Sequence, residues 1–366
     1  MAAAHTAYHP TWTWALPLVS WCLLGLYWLL PSMPGITLLL CAGLLGSVMA
    51  AVHHAEVIAL KVGEPYGSLV LALSVTVIEV ALIVSMMLAG DPATSMGLPR
   101  DTIFAAVMLI LNGIIGASLL VGGRKNGEQQ FNLEGVTDAL CTTTVIVVIA
   151  LVLPNYTKST AGPTYSPVQM GFVAAITLAM FAAFTYFQTQ RYRHYFASTT
   201  RSASGADAAP VSLPDTHSTA LSVVLLLLSL VAVVLSAKSI SPSLEALLGR
   251  LGAPAATLGI IIAAIVLLPE FGAAMRAARD NRLQSSLNLA IGSAIASIGL
   301  TIPAVAILAV IMGWPLALGL DAFSTALLTL SLFVVALSLR TGNTTFQPGV
   351  VHVMILLVYL FFSFFP

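Results

Sequence analysis

Eleven apolar runs, each near the roughly 20 residues that a membrane-crossing helix needs, fill most of this chain. They lie at about 14–30, 35–52, 66–89, 103–122, 136–153, 168–187, 218–237, 255–275, 286–312, 315–338 and 348–365. Backbone amides in hydrocarbon must find partners within their own segment, so runs of this kind span a membrane as helices. Composition removes the soluble alternatives. Of 366 residues, 58% are hydrophobic and 8% are charged, against about 25% charged in a soluble domain. An ordinary cytosolic enzyme and a disordered chain are excluded. So is a nucleic-acid binder, because 14 Lys and Arg balance 14 Asp and Glu and leave no basic field.

The long ninth run is expected to be tilted or broken. Cys22, Cys41 and Cys141 lie in or beside apolar runs with no metal-ligand spacing, and are expected as buried small apolar residues. The first run is expected to be retained: its flank MAAAHTAYHP carries no Lys or Arg, and its exit PSMPG is not a small-residue cleavage site.

Positive charges orient the chain. With eleven spans, Lys61, Arg124, Lys125, Arg191, Arg193, Arg201, Arg276, Arg279, Arg282 and Arg340 fall on one side, and Arg100, Lys158, Lys238 and Arg250 on the other. The expectation is an integral membrane protein with its N-terminus inside, on the cytoplasmic face, and its C-terminus outside. The polar stretch at about 190–218, rich in Ser, Ala and Pro, reads as a cytoplasmic linker.

An internal repeat organises the spans. AEVIALKVGEPYGSL, 55–69, aligns without gaps on LEALLGRLGAPAATL, 244–258. Glu56 meets Glu245, Lys61 meets Arg250, Gly63 meets Gly252 and Pro65 meets Pro254. The expected division is an extra N-terminal helix in 1–34, a five-helix repeat in 35–187, a linker in 188–217 and a second five-helix repeat in 218–366. Five is odd, so the halves enter the membrane from opposite sides. The fold class is an all-α polytopic membrane protein with an inverted repeat, as in secondary transporters.

Downstream of each repeated G-x-P stands one carboxylate within an apolar run: Glu79 and Glu270. A charge at a helix centre costs about 2.5–3.5 kcal/mol on insertion scales, so matched positions need a reason. Hard cations such as Ca²⁺ and Na⁺ want carboxylate, carbonyl and hydroxyl oxygens. Desolvation and like-charge pairing both favour the neutral acid, so an empty pair takes up protons. Protons and cation then compete for the same oxygens, as a cation/proton antiporter requires.

Thr76 shares a face with Glu79, and Pro269 can release a carbonyl beside Glu270. Ser286, Ser293, Ser297 and Thr301 recur on one face of the ninth run, with Asn288 and Gly292 beside it; Asn112 and Gly116 stand in the fourth. Most small polar residues serve packing. Ser293, Asn112, Asn288 and Thr76 are the candidate ligands beside the two glutamates. Glu56, Glu64 and His54 are candidates for ion access or gating, near His53. Asp138 and Asp321 lie near helix starts, where carboxylates complement the dipole. His352, alone in the last run, is expected to be packed or interfacial.

GEPYGSLVLALSVTVIEV, 63–80, and PEFGAAMRAARDNRLQSSLNLAIGSAIASIGLTIP, 269–303, resemble the two signature regions of the cation/calcium exchanger superfamily. The likeness runs from about residue 35 to the end and is strongest to the bacterial calcium/proton antiporter branch, some of whose members handle sodium or potassium. It implies a ten-helix inverted-repeat core with an extra N-terminal helix. It also implies a key glutamate in each region, matching Glu79 and Glu270, and a Gly-Ser pair matching Gly292 and Ser293. The usual Gly-Asn-Ala-x-Glu is replaced by Val75-Thr76-Val77-Ile78-Glu79 and Val266-Leu267-Leu268-Pro269-Glu270, so both asparagine ligands are missing. A Gln frequent in relatives is Ala296, and the linker holds only Asp207 and Asp215 where many relatives carry an acidic run.

The reading is a Ca²⁺/H⁺ antiporter, with Na⁺ or K⁺ as further cargo, working by alternating access. Its partners are membrane lipid, cations and protons. No resident cofactor is expected, and a homo-oligomer is compatible with the sequence. A channel or uniporter would share the acidic pair without proton coupling. A membrane enzyme is disfavoured because no HExxH or GxGD pattern or nucleophile–base pair stands in the spans.

Overall fold

In a computed structural model of the chain, each of the eleven predicted runs contains one helix. The structure describes residues 10–31, 33, 35–62, 66–89, 96–196, 219–254, 256–314 and 316–365. The helices are α1 (Thr11–Leu29), α2 (Ile36–Val62), α3 (Tyr66–Ala89), α4 (Leu98–Asn126), α5 (Leu133–Tyr156), α6 (Pro167–Arg191), α7 (Thr219–Arg250), α8 (Ala256–Arg279), α9 (Leu283–Met312), α10 (Ala322–Ser338) and α11 (Phe346–Phe364). Among the described residues, ten are long and apolar enough to cross a membrane, and α10 is a shorter apolar helix.

The differences from the predicted runs are at the ends. α2 and α7 run about ten residues further than hydropathy suggests, through Lys61 and through Lys238, Glu245 and Arg250. What stops α7 is the repeated motif itself. Gly252 takes a positive φ of 68°. Its N–H bonds the Gly249 carbonyl and the Ala253 N–H bonds the Leu248 carbonyl, the paired bonds of a glycine-terminated helix, with Pro254 next. The G-x-P of the repeat is therefore a helix stop. Its first copy, with Gly63, Glu64 and Pro65, lies outside the described residues.

α9 is one unbroken helix of 30 residues, with Pro303 inside it, not a broken one. At about 1.5 Å per residue it exceeds the roughly 30 Å hydrocarbon core. α10 begins seven residues later than its apolar run. Leu316, Leu318 and Leu320 are buried but not helical. Their segment is bonded by two other loops and by α5: Ala317 N–H to Met96 O, Gly319 N–H to Pro163 O and Leu320 N–H to Leu151 O. Asp321 then starts the helix by accepting the Ser324 N–H at 2.9 Å.

The cysteines correct an expectation. Cys22 and Cys141 are exposed and Cys41 is half-buried; all three are free thiols. An apolar neighbourhood in a membrane protein includes helix surfaces turned to lipid, not only the core.

Among the described residues, those within 10–89 and 219–244 form one packed unit and those within 96–196 and 245–365 form another. In the first, α1 lies on α2. A side chain on Gly46 would press on Leu16 at 3.1 Å, and one on Gly43 would meet Ser20, so the small residues permit the close crossing. The Trp21 indole N–H and the Tyr27 hydroxyl bond the Leu228 and Ser239 carbonyls and tie α1 to α7.

The second unit is closed at two ends by bonds between distant loops. At one end, Gln129–Gln130 pairs antiparallel with Asn343–Thr344, and the Gln284 side chain accepts the Asn132 N–H. At the other, the loops around Met96, Pro163 and Ala317–Leu320 share the bonds given above. Between any two loops that meet, an even number of helices intervenes. That parity is what a chain whose every helix crosses the layer once gives.

Pro154 creates a local problem on α5, and Tyr165 solves it. Over Val148–Val152 the helix widens to a π-turn, with the Leu153 N–H on the Val148 carbonyl. The next N–H would belong to residue 154, but proline has none. The Ile149 carbonyl instead accepts the Tyr165 hydroxyl at 2.6 Å.

Candidate functional site

In the first unit, Glu79 sits in the middle of α3 and is 3% exposed. Thr76, one turn earlier on the same face, is 5% exposed. Its hydroxyl proton is spent on the Ala72 carbonyl at 2.9 Å, which leaves the oxygen lone pairs as acceptors suited to a cation. Ser74 likewise bonds the Val70 carbonyl. These back-bonds let hydroxyls sit in an apolar helix without an unsatisfied donor.

The access candidates separate. His54 is fully buried on α2, its Nε2 3.2 Å from the Thr13 carbonyl of α1. A carbonyl only accepts, so this nitrogen carries the proton. His53 lies against Trp12 in a tilted arrangement, with ring centroids 5.3 Å apart. These histidines join α1 to α2. Glu56 is exposed, and Glu64 lies outside the described residues.

In the second unit, Glu270 is 8% exposed, within α8 and directly after Pro269. The helix continues through the proline; the missing N–H would have served Ile265. On α9, Ser286, Ser297 and Thr301 are buried, and Ser293 and Gly292 are half-buried. A Cβ added at Gly292 would meet no atom within 4 Å, so open space borders the Gly-Ser pair. Asn288 is committed elsewhere. Its amide donates to the Phe196 carbonyl at 2.7 Å and its oxygen accepts from Gln284 at 2.8 Å, closing the turn Arg193–Phe196 onto α9.

Asn112 belongs to a separate network, inside a π-turn of α4, Leu109–Ile114. It is fully buried, with Ser331 of α10 at 2.8 Å and His352 of α11 at 3.1 Å. His352 is also fully buried, and its other nitrogen lies 3.2 Å from the Ser338 hydroxyl. It is a packed residue, as expected, but a bonded one. Its partners went unseen because they lie 240 and 14 residues away. The signal available was only that two polar side chains interrupt otherwise apolar runs.

Where α4 and α10 begin, an open pocket of about 450 Å³ is lined by Arg100, Asn155, Thr157, Thr160 and Asp321, among others. Arg100 bonds Asp101 at 2.7 Å. Asp321 holds Ser324 through both carboxylate oxygens. Burial opposes its ionisation, but the Ser324 N–H and hydroxyl, with the Phe323 and Asp321 backbone N–H groups, outweigh it and hold its pKa below the ordinary 3.8. These groups serve helix starts. Asp138, exposed in the second turn of α5, follows the true cap, Asn132. Among the described residues, no three His, Cys, Asp or Glu side chains cluster as a ready metal cage.

The sequence profile of the sodium/calcium exchanger protein family matches residues 32–190 and 221–365. The chain is 41% identical to y4hA of Sinorhizobium fredii, which bears the general name of an ionic transporter, over 99% of this chain and 98% of that one. It is 36% identical to the sodium-potassium/proton antiporter ChaA of Escherichia coli over 90% and 89%. Two solved structures share the fold: YfkE, a Ca²⁺/H⁺ antiporter protein (TM-score 0.74, 15% identity, 97% and 100% covered), and the H⁺/Ca²⁺ exchanger CAX (0.69, 18%, 97% and 89%).

Proposed function

Because the chain belongs to the sodium/calcium exchanger family, we propose that it is a proton-coupled cation antiporter that exports Ca²⁺, Na⁺ and K⁺ from the bacterial cytoplasm. The observation that carries this reading is the pair of buried mid-helix carboxylates, Glu79 and Glu270, at repeat-related positions. The likeness to a sodium-potassium/proton antiporter and the shared fold of two Ca²⁺/H⁺ exchangers support it.

The chemistry is competition for oxygens. A Ca²⁺ bound by two carboxylates is charge-balanced, and so is the same pair holding two protons. Each exchange of one for the other leaves the site neutral, which a low-dielectric membrane interior favours. Thr76 and the half-buried Ser293 supply neutral oxygens. With the family's two asparagines replaced by Thr76 and Leu267, the site is poor in neutral ligands. Ca²⁺ wants six to eight oxygens, so this set suits alkali cations as well. The site faces the two sides of the membrane in turn, with the N-terminus cytoplasmic and the C-terminus outside. The transported ions are substrates, and the reading needs no resident cofactor.

The test is purified protein in proteoliposomes with a trapped pH dye. Adding Ca²⁺, Na⁺ or K⁺ should drive protons in the opposite direction. Glu79→Gln and Glu270→Gln should each abolish that signal while the protein still inserts and elutes as one species. Cation flux without a pH change would mean a channel or uniporter. Normal exchange in either variant would remove these glutamates from the mechanism.

A further inference from the structure

The Asn112–His352 network supports an inference beyond the two glutamates. Ser331 donates to the Leu327 carbonyl at 2.8 Å; its other acceptor, the Met108 sulfur at 3.5 Å, is weak. With its single proton spent, Ser331 can only accept from Asn112, so the Asn112 atom facing it is the amide nitrogen. The amide oxygen then faces His352 Nδ1 at 3.1 Å, and Nδ1 must carry a proton. In the neutral ring Nε2 becomes the acceptor, and the Ser338 hydroxyl at 3.2 Å donates to it. One continuous order of donors thus runs from Ser338 to the Leu327 carbonyl.

This leaves Asn112 with both ends of its amide engaged within the network. What it holds is the π-turn. The Ile115 N–H reaches back five residues to Ile110, and single widened turns of this kind are rare within α-helices and frequent at functional sites. The same turn packs against α8, which carries Glu270, and against α9, which carries Ser293, as well as α10 and α11.

We propose that His352, as its Nδ1–H tautomer, is a positioning residue that acts through Asn112 to hold the π-turn of α4 against the two helices that bear Glu270 and Ser293. It rests on the antiporter reading, because its consequence is the affinity of that site.

The test exploits side-chain shape. The amide nitrogen of asparagine stands where His Nδ1 stands; that of glutamine stands where Nε2 does. His352→Asn should keep the donor to Asn112, and its half-saturating cation concentration should stay within about threefold of wild type. His352→Gln should raise it about tenfold, the effect expected for one buried acceptor left unpaired. Should His352→Gln fail to fold, Ser331→Ala removes the far end of the order without touching the ring, and the same rise is expected. Equal values for the Asn and Gln variants, or an unchanged value in Ser331→Ala, would overturn the proposal. Wild-type protein that moves no protons against any cation would overturn the antiporter reading instead. The donor order would then be read from thermal midpoints, with His352→Asn above His352→Gln if it holds and the reverse if it does not.

Discussion

Ser286 on α9 donates its hydroxyl to the Ser118 oxygen on α4 at 2.8 Å, and neither residue is exposed. Ser118 spends its own proton on the Ile114 carbonyl at 2.7 Å, so the pair forms a directed chain from one helix into the backbone of the next. Ser286→Ala leaves every donor satisfied. Its cost should be only about 0.6 kcal/mol, the average for such bonds in membranes, measured by unfolding in mixed micelles. Ser286→Leu, forced into the same contact, should cost far more and lower the yield of folded protein.

Glycines should divide by what surrounds them. A Cβ on Gly116 would lie 2.7 Å from the Cβ of His352, and one on Gly349 would strike the Leu120 backbone. Gly116→Ala and Gly349→Ala should each destabilise by about 1–3 kcal/mol, because α4 and α11 cannot part without losing their packing. Gly292→Ala meets nothing within 4 Å and should keep the wild-type thermal midpoint. A fall in exchange without a fall in stability would place the open face beside Gly292 on the ion route.

Tyr165→Phe should cost about 1–3 kcal/mol, since it strands the Ile149 carbonyl that Pro154 cannot serve. The burial of the same phenol gives an alkaline signature. Burial pushes the Tyr165 phenol up to about 12, above its ordinary 10. The folded protein then holds a proton that the unfolded chain releases. This increment is full below pH 10 and is lost as pH rises towards 12. Unfolding scans from pH 9 to 12 should show the decline in wild type and a weaker one in Tyr165→Phe.

Asp321→Ala should lose the cap of α10, worth about 0.5–2 kcal/mol at neutral pH. The sign with acid is opposite to that of Tyr165. The carboxyl pKa is lowered below 3.8 in the folded state, so its contribution is full above the unfolded value and fades as pH falls through the folded one. The gap in thermal midpoint between Asp321→Ala and wild type should therefore narrow below pH 3.8. A gap that does not change with acid would assign the loss to geometry and not to charge.

Hydropathy alone located all eleven helices, because in a bilayer one length and one composition serve every span. It failed where a helix outlives its apolar run, as α2 and α7 do, or where an apolar run is not helical, as at Leu316–Leu320. Glu79 and Glu270 were legible because they are charges where charges are costly. Asn288 and Asn112 were legible as polar but not as to role. Apart from Gln284 and Met108, one turn away, the atoms that engage them belong to residues 92, 219 and 240 positions away, and no local pattern encodes such distances. The π-turns of α4 and α5 left no periodic trace, since one extra residue barely alters an apolar pattern. Glu64 remains an expectation from sequence alone.

The short ladder between Gln129–Gln130 and Asn343–Thr344 bears on how this protein is made. Synthesis runs at about 5–20 residues per second, so roughly 10–40 s separate the emergence of its two strands. During that interval α4 and α5 wait in the bilayer with that end of their unit unclosed. Final assembly therefore belongs after insertion, when the last helices arrive, and a chain truncated before residue 343 should leave the translocon unfinished and open to quality-control proteolysis.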